Sequence, residues 1–301
     1  MNERAKKLHR PSAVKWLALI GSDWLIIAAC FWASHRAGTL LAYWVASLII
    51  GNRIHAIGIM GHDGSHYTAA KSHFWNDVLT AGLAFWPTAI SLRAYRKFHN
   101  KHHRRVGTAD DPEFIHKNWA SPSFELPMTP LRLAGWLVRD LVGLAVIDLV
   151  RLMRLLKPER LADLTAPLIV QALFWGLCLF TRQYWILGLW YFSLCSSFWA
   201  CFRLRVWIEH VGTLETHRVK LSFWQALLFA PHWTAYHYEH HKWPGVPCWE
   251  LPKARTLDDT VPVMSLRQLI DFYLAKSRSA ARPAMVAPTA SRGSPSATVG
   301  S

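Results

Sequence analysis

Four apolar runs of near-membrane length constrain this 301-residue chain more than any other feature. They fall at about 16–33, 40–60, 164–181 and 184–202. A bilayer core of roughly 30 Å needs about 18–20 apolar residues in a helix. In hydrocarbon, a backbone must satisfy its own hydrogen bonds, so each run is expected to be helical. The breaks within each pair are short, Ser34–Thr39 in the first and Thr181-Arg182-Gln183 in the second. The expected fold is therefore an all-α membrane protein with four transmembrane helices in two hairpins. At 1.5 Å per residue, Leu40 to His62 covers roughly 33 Å, so His62 should emerge on the side from which the N-terminus entered.

Two charges lie inside these runs. Asp23 falls ~10 Å into the first span, and Arg53 falls ~13 Å inward from His62 on the second. Charges at such depth are costly and usually paired, which leads us to expect an Asp23–Arg53 ion pair.

Composition agrees with a membrane setting. Hydrophobic residues make up 52% of the chain and there are 17 tryptophans, a residue concentrated at bilayer interfaces. The net charge of +15 would also suit a soluble nucleic-acid binder, but such a protein would not carry these apolar runs. Nucleic acid is excluded as a partner, and anionic head groups or an acidic protein explain the charge better. The five cysteines form no CxxC pair and are read as reduced packing residues. The basic start leads into an apolar stretch without a convincing cleavage site, so that stretch reads as a retained first span. Residues 74–92 form a weaker apolar segment broken at Trp86-Pro87, expected to lie at the interface or insert shallowly. Residues 131–157 mix apolar and charged positions, as an interfacial amphipathic helix does. Lys and Arg concentrate in the N-terminus and around the histidines, which places both termini and that whole region in the cytosol. Residues 1–276 read as one domain, and 277–301 as a disordered tail.

The chemistry is carried by histidine. Eight of the sixteen histidines occupy three short windows: His62 and His66; His99, His102 and His103; His237, His240 and His241. Residues three and four apart share a helix face, so each window lines its imidazoles along one stripe. A lone HxxxH is more often an ordinary surface or core pair. Three windows, two of them HxxHH, point instead to a metal site suited to Zn, Cu, Fe or Ni. The Glu-x-x-His pairs of soluble di-iron bundles are missing.

In order, HDGSH (62–66), FHNKHHR (98–104) and YHYEHHKWPGVPCWELP (236–252) resemble the three boxes of the membrane fatty acid desaturase family. The resemblance covers roughly residues 50–255. It implies four membrane helices, a cytosolic helical cap carrying the boxes, and two iron ions held by His62, His66, His99, His102, His103, His237, His240 and His241. His210 matches a ninth histidine that the family places beyond the fourth helix. Stearoyl-CoA desaturases place an Asn four residues before that histidine to hold a metal-bound water. Val206 stands there in this chain, and His217 and His232 are candidate substitutes. His9, His35, His55, His73 and His116 have no partner at ligand spacing and are left out.

Asp63, Glu209 and Glu239 adjoin ligands and are candidates to accept the second imidazole N–H. Asp110 and Asp111 are candidates for the same role at the middle box, or are simply turn residues.

The implied activity is that of an oxidoreductase: a di-iron, O₂-dependent desaturase introducing a double bond into a fatty acyl or related lipid chain. A carotenoid ketolase or lipid hydroxylase of the same superfamily stays open, as does a small-molecule desaturase similar to those acting on dihydrorhizobitoxine. No cytochrome b5, dinucleotide or iron–sulfur signature is present, so electrons are expected from a separate donor such as a ferredoxin. The expected location is the bacterial inner membrane. A non-enzymatic membrane metal or haem protein is the remote rival. Transporters place ligands near mid-membrane and haem needs two axial ligands, whereas these boxes cluster at helix ends.

Overall fold

The computed structural model describes residues 3–108, 110–115, 129–211 and 216–278. The described residues are mainly helical. Their sheet is a single two-residue parallel pairing of Val219–Lys220 with Met264–Ser265.

Helix α1 (Ala13–Ala37) starts where the Ser12 hydroxyl accepts from the Lys15 N–H. It ends at Gly38, whose φ of 63° is a left-handed conformation that glycine adopts without a Cβ clash. Thr39 then caps helix α2 (Leu40–Gly64), so two residues end one long helix and start the next. Helix α3 (His73–Thr80) continues through a π turn, Ala81–Phe85, into a 3-10 turn, Trp86–Thr88. The sequence break at Trp86-Pro87 is thus where the run tightens and stops, and Ala81, Ala84 and Phe85 are buried. Helices α4 (Leu92–Arg105), α5 (Pro130–Leu141) and α6 (Val146–Leu155) follow. Helix α7 (Thr165–Phe180) is succeeded by α8 (Tyr184–Cys195) and α9 (Ser197–Glu209), the last two separated only by Ser196. Helices α10 (Phe223–Phe229), α11 (His237–Lys242) and α12 (Leu266–Arg278) follow, and single turns of helix lie at Glu3–Lys6, Pro112–Ile115 and Leu251–Ala254.

Four helical stretches are long and apolar enough to cross a membrane: Ala13–Ala37, Leu40–Gly64, Leu161–Phe180 and Tyr184–Glu209. Each extends past its apolar run at one end or both, because a helix continues while its backbone bonds are made, even where its side chains turn polar. The second reaches past His62, and the fourth reaches Glu209 rather than stopping near 202. Helix α12 passes the 276 boundary by two residues, and the remainder of the expected tail, 279–301, lies outside the described residues, as does His116.

Helix α2 is the central element, packed on α1, α8, α9 and the π turn. A Cβ at Gly51 would fall 2.0 Å from Ser197 Oγ, and one at Gly64 would fall 2.3 Å from Thr80 Oγ1. Glycine at these places lets α9 and α3 approach the α2 backbone. The expected pair is present: Arg53 Nη1 donates to Asp23 Oδ1 at 3.1 Å, with both side chains buried. In the amphipathic stretch, Asp140 and Asp148 are not solvated. They turn inward to Arg203 of α9, at 2.6 Å and 3.3 Å, while Leu131, Val138 and Ile147 are exposed.

Candidate metal centre

Five elements converge to build the site. The last turn of α2 supplies His62, and the tight turn after it, ending at Tyr67 with φ 63°, supplies His66. Helix α4 supplies His99, His102 and His103, and α11 supplies His237, His240 and His241. His210 lies at the C-terminal end of α9.

The nine imidazoles form two groups, each with its ligand atoms within 4.8 Å of one another. His62, His66, His99, His103 and His240 make the first; His102, His210, His237 and His241 make the second. Each HxxHH helix therefore divides its histidines. The i, i+4 pair of α4 joins the first group and its remaining ring, His102, joins the second. Helix α11 does the reverse, sending His237 and His241 to the second group and His240 to the first. This exchange follows from helix geometry, because i and i+4 share a stripe and i+3 sits to one side.

Within each group, ring nitrogens face each other. His103 Nε2 is 2.9 Å from His99 Nε2 and 3.0 Å from His240 Nε2. His237 Nε2 is 2.8 Å from His210 Nε2 and 3.1 Å from His241 Nε2. His102 Nε2 is 3.2 Å from His241 Nε2, both in the second group. A cation bound by imidazole at about 2.0–2.1 Å would draw its ligand nitrogens to within roughly 3.0–3.4 Å of one another. Moreover, the buried Nε2 atoms of His62 and His66 have no hydrogen-bond partner. Buried nitrogens left unpaired are costly, and a shared cation satisfies them together. The residues fit metal binding.

Ligation requires neutral imidazole. Burial pushes His66, His103, His237, His240 and His241 below the ordinary imidazole range. Burial also brings His99 down to about 4, against the opposing charge of Glu113.

Carboxylates stand behind three rings. His102 Nδ1 is 2.8 Å from Asp111 Oδ1, and an N–H donated there leaves Nε2 as the lone-pair nitrogen. Asp111 is itself held by N–H groups of Glu113 and Gly107 at 2.9 and 3.2 Å. Glu113 Oε1 is 3.4 Å from His99 Nδ1, and Glu209 Oε1 is 3.5 Å from His237 Nδ1. Glu113 is not evident from the sequence, where Asp110-Asp111-Pro112-Glu113 reads as a turn. The only available signal is its i+2 spacing from Asp111.

Several candidates for supporting roles fall elsewhere. Asp63 accepts from Thr68 Oγ1 at 2.6 Å and from the Cys248 N–H at 3.1 Å, tying the first box to the segment after the third. Glu239 faces away from the rings and takes Arg218 Nε at 2.7 Å and Arg255 Nε at 3.0 Å. Asp110 is exposed. His232 lies 2.7 Å from Asp23 Oδ2, and His217 Nε2 donates to Val211 O at 2.7 Å. Neither His217 nor His232 joins a histidine group. Val206 is buried in an apolar cluster with Trp207 and Ile208.

The family profile described as fatty acid desaturase matches residues 38–267. A dihydrorhizobitoxine desaturase from Bradyrhizobium elkanii is 26% identical over 283 residues, covering 85% of this chain and 78% of that protein. A beta-carotene ketolase from a Paracoccus species is 27% identical over 252 residues, 81% of this chain and 89% of the ketolase. An sn-1 acyl-lipid omega-3 desaturase (ferredoxin) from a Nostoc species is 24% identical over 119 residues, 40% of this chain and 33% of that desaturase. With the profile spanning most of the chain and nine histidines gathered into two metal-fitting groups, this protein belongs to the fatty acid desaturase family.

Proposed function

We propose that this chain is an O₂-dependent membrane desaturase that introduces a double bond into a fatty acyl or related lipid chain. The observation that carries the reading is the division of nine imidazoles into two adjacent groups, each fitted to one ion. When bound, two irons supply O₂ reduction and hydrogen removal from an unactivated carbon. The protein contributes orientation and exclusion of water. His62, His66, His99, His103 and His240 hold one ion, and His102, His210, His237 and His241 hold the other. Asp111 and Glu113 fix ring orientation by holding the Nδ1 protons of His102 and His99, and Glu209 sets its carboxylate 3.5 Å from His237 Nδ1. Which carbon reacts is decided by where the protein holds it relative to the centre.

In this reading, the four spans form two hairpins, both termini and the helical cap are cytosolic, and the membrane is a bacterial inner membrane. Electrons come from a separate acidic carrier such as a ferredoxin. Exposed Arg93, Lys97, Lys101, Arg104 and Arg105 on α4 offer a complementary face, and the Nostoc relative is named with ferredoxin.

A second reading, ketolation, is favoured by the Paracoccus relative, which matches 81% of the chain against 85% for the desaturase from Bradyrhizobium. Expression in a host lacking the activity, with lipid and carotenoid profiling by mass, separates the two. Loss of two hydrogens supports desaturation, whereas gain of a ketone or of one oxygen overturns it in favour of the superfamily alternatives. No product from an iron-replete chain with a reduced donor would overturn both.

A further inference from the structure

His232 stands outside both histidine groups, shortly before the first ring of α11. His232 and Trp233, with φ of 51° and 59°, are the only consecutive side-chain-bearing residues with positive φ among the described residues. A Cβ disfavours that left-handed region, most of all on a bulky residue such as Trp. Such backbone persists only where its surroundings hold it. The turn leads through Thr234–Tyr236 directly into the helix that carries His237, His240 and His241.

What holds the turn comes from the spans. His232 Nε2 lies 2.7 Å from Asp23 Oδ2, and a ring nitrogen facing a carboxylate carries the hydrogen and donates. The other oxygen, Asp23 Oδ1, takes Arg53 at 3.1 Å, so one buried carboxylate joins α1, α2 and the turn. Arg53 also donates to Leu227 O at 3.2 Å, and Asn52 donates to Leu228 O. Both carbonyls belong to the last turn of α10, where intrahelical donors run out. The donor that would serve Leu227 O falls at Pro231, which has no N–H. The chain is thus pinned on either side of Pro231. Beyond the turn the line of contacts continues. Buried Thr234 donates its hydroxyl to Glu209 Oε1 at 3.2 Å, the same oxygen that stands 3.5 Å from His237 Nδ1.

We propose that His232 is a positioning residue for the second histidine group. Its bond to Asp23 holds the left-handed turn, and the turn fixes where α11 begins and where Thr234 meets Glu209. The Asp23–Arg53 pair then does more than compensate two buried charges, because it is the fixed point for this segment. The first group takes only His240 from α11 and draws its other rings from α2, the turn after it and α4, so it depends less on His232. The inference rests on the metal centre of the proposed function, and not on which reaction that centre performs.

The test is Co²⁺ binding by the full-length chain in detergent, stripped of iron, followed by the visible absorption of the bound ion. Two backgrounds isolate the groups: His103→Ala leaves the second intact, and His102→Ala leaves the first. His232→Leu should weaken Co²⁺ binding about tenfold in the His103→Ala background, the lower end of losses from disturbing the support of a ligand, and should shift the spectrum. It should change neither quantity in the His102→Ala background. His232→Gln, which restores a donor at similar reach, should recover most of the affinity. Equal losses in both backgrounds would overturn the proposal, because His232 would then serve folding in general. No loss in either would overturn it too, as would a His232→Gln variant as weak as His232→Leu. Intact Co²⁺ binding that is indifferent to His232 leaves the metal centre standing and removes only its positioning. Failure of the unsubstituted chain to bind Co²⁺ removes both.

Discussion

The two histidine groups are built from the same kind of ring but are held in different ways. The first takes His62 and His66 from the end of α2 and the turn that follows. Its framework is packing: Gly61 against Ala84 and Phe85, and Gly64 against Thr80. Among the described residues its carboxylate partner is Glu113, 3.4 Å from His99. The second takes its rings from α4, α9 and α11, and leans on acids. Asp111 is 2.8 Å from His102, and Glu209, itself held by Arg205 at 2.6 Å, stands behind His237. A metal-fitting cluster can be pre-organised by close backbone contact or by hydrogen bonds, and this protein uses one at each half.

The comparison breaks most directly at the rings. His103→Ala and His102→Ala should each leave roughly 1% or less of turnover, the larger end of the effects seen on disturbing metal shells. Bound iron should fall by about half in each case if the groups are separate sites. Loss of all iron from either variant would show the groups to be one cooperative unit, and full retention would refute the division.

A sharper contrast is at the acids. Asp111→Asn should weaken metal binding roughly 10–100-fold, whereas Glu239→Gln should leave metal affinity near wild type and lower thermal stability instead. The reason is that Glu239 neutralises Arg218 and Arg255 rather than orienting a ring. Metal titration of both variants checks this, and equal losses would erase the distinction.

The smallest effect concerns acid. In the metal-free chain, burial lowers several rings, with His99 at about 4, while in the unfolded chain they titrate near 6.5. Below about pH 6.5 the unfolded state binds more protons, so stability should fall as pH drops from about 6.5 toward 4. Below that window the loss should slow, because the folded His99 also takes up its proton. Melting temperature against pH on chelator-treated protein reads this, and a flat profile would contradict it.

The spans and eight of the nine ring positions follow short-range patterns in the sequence, and His210 was indicated by the family resemblance alone. Apolar run length reports a bilayer's thickness, and HxxxH spacing reports a shared helix face. The buried Asp23–Arg53 pair was legible for a related reason, since two opposite charges at similar depth have few other partners. Neighbours in sequence proved a poor guide to neighbours in space. Asp63 and Glu239 adjoin box histidines yet bond Thr68, Cys248 and two arginines. His232 went to Asp23, completing a buried contact between distant segments.

The sequence by itself determined which segments are helical and apolar, which rings stand on one stripe, and the family. The tertiary structure alone decided how the rings divide, which acids stand behind them, and which polar groups are left without a partner. The reason is physical: helix periodicity is local, set within four or five residues. The exchange between α4 and α11 and the reach of Asp111 and Glu113 depend on how separate helices pack.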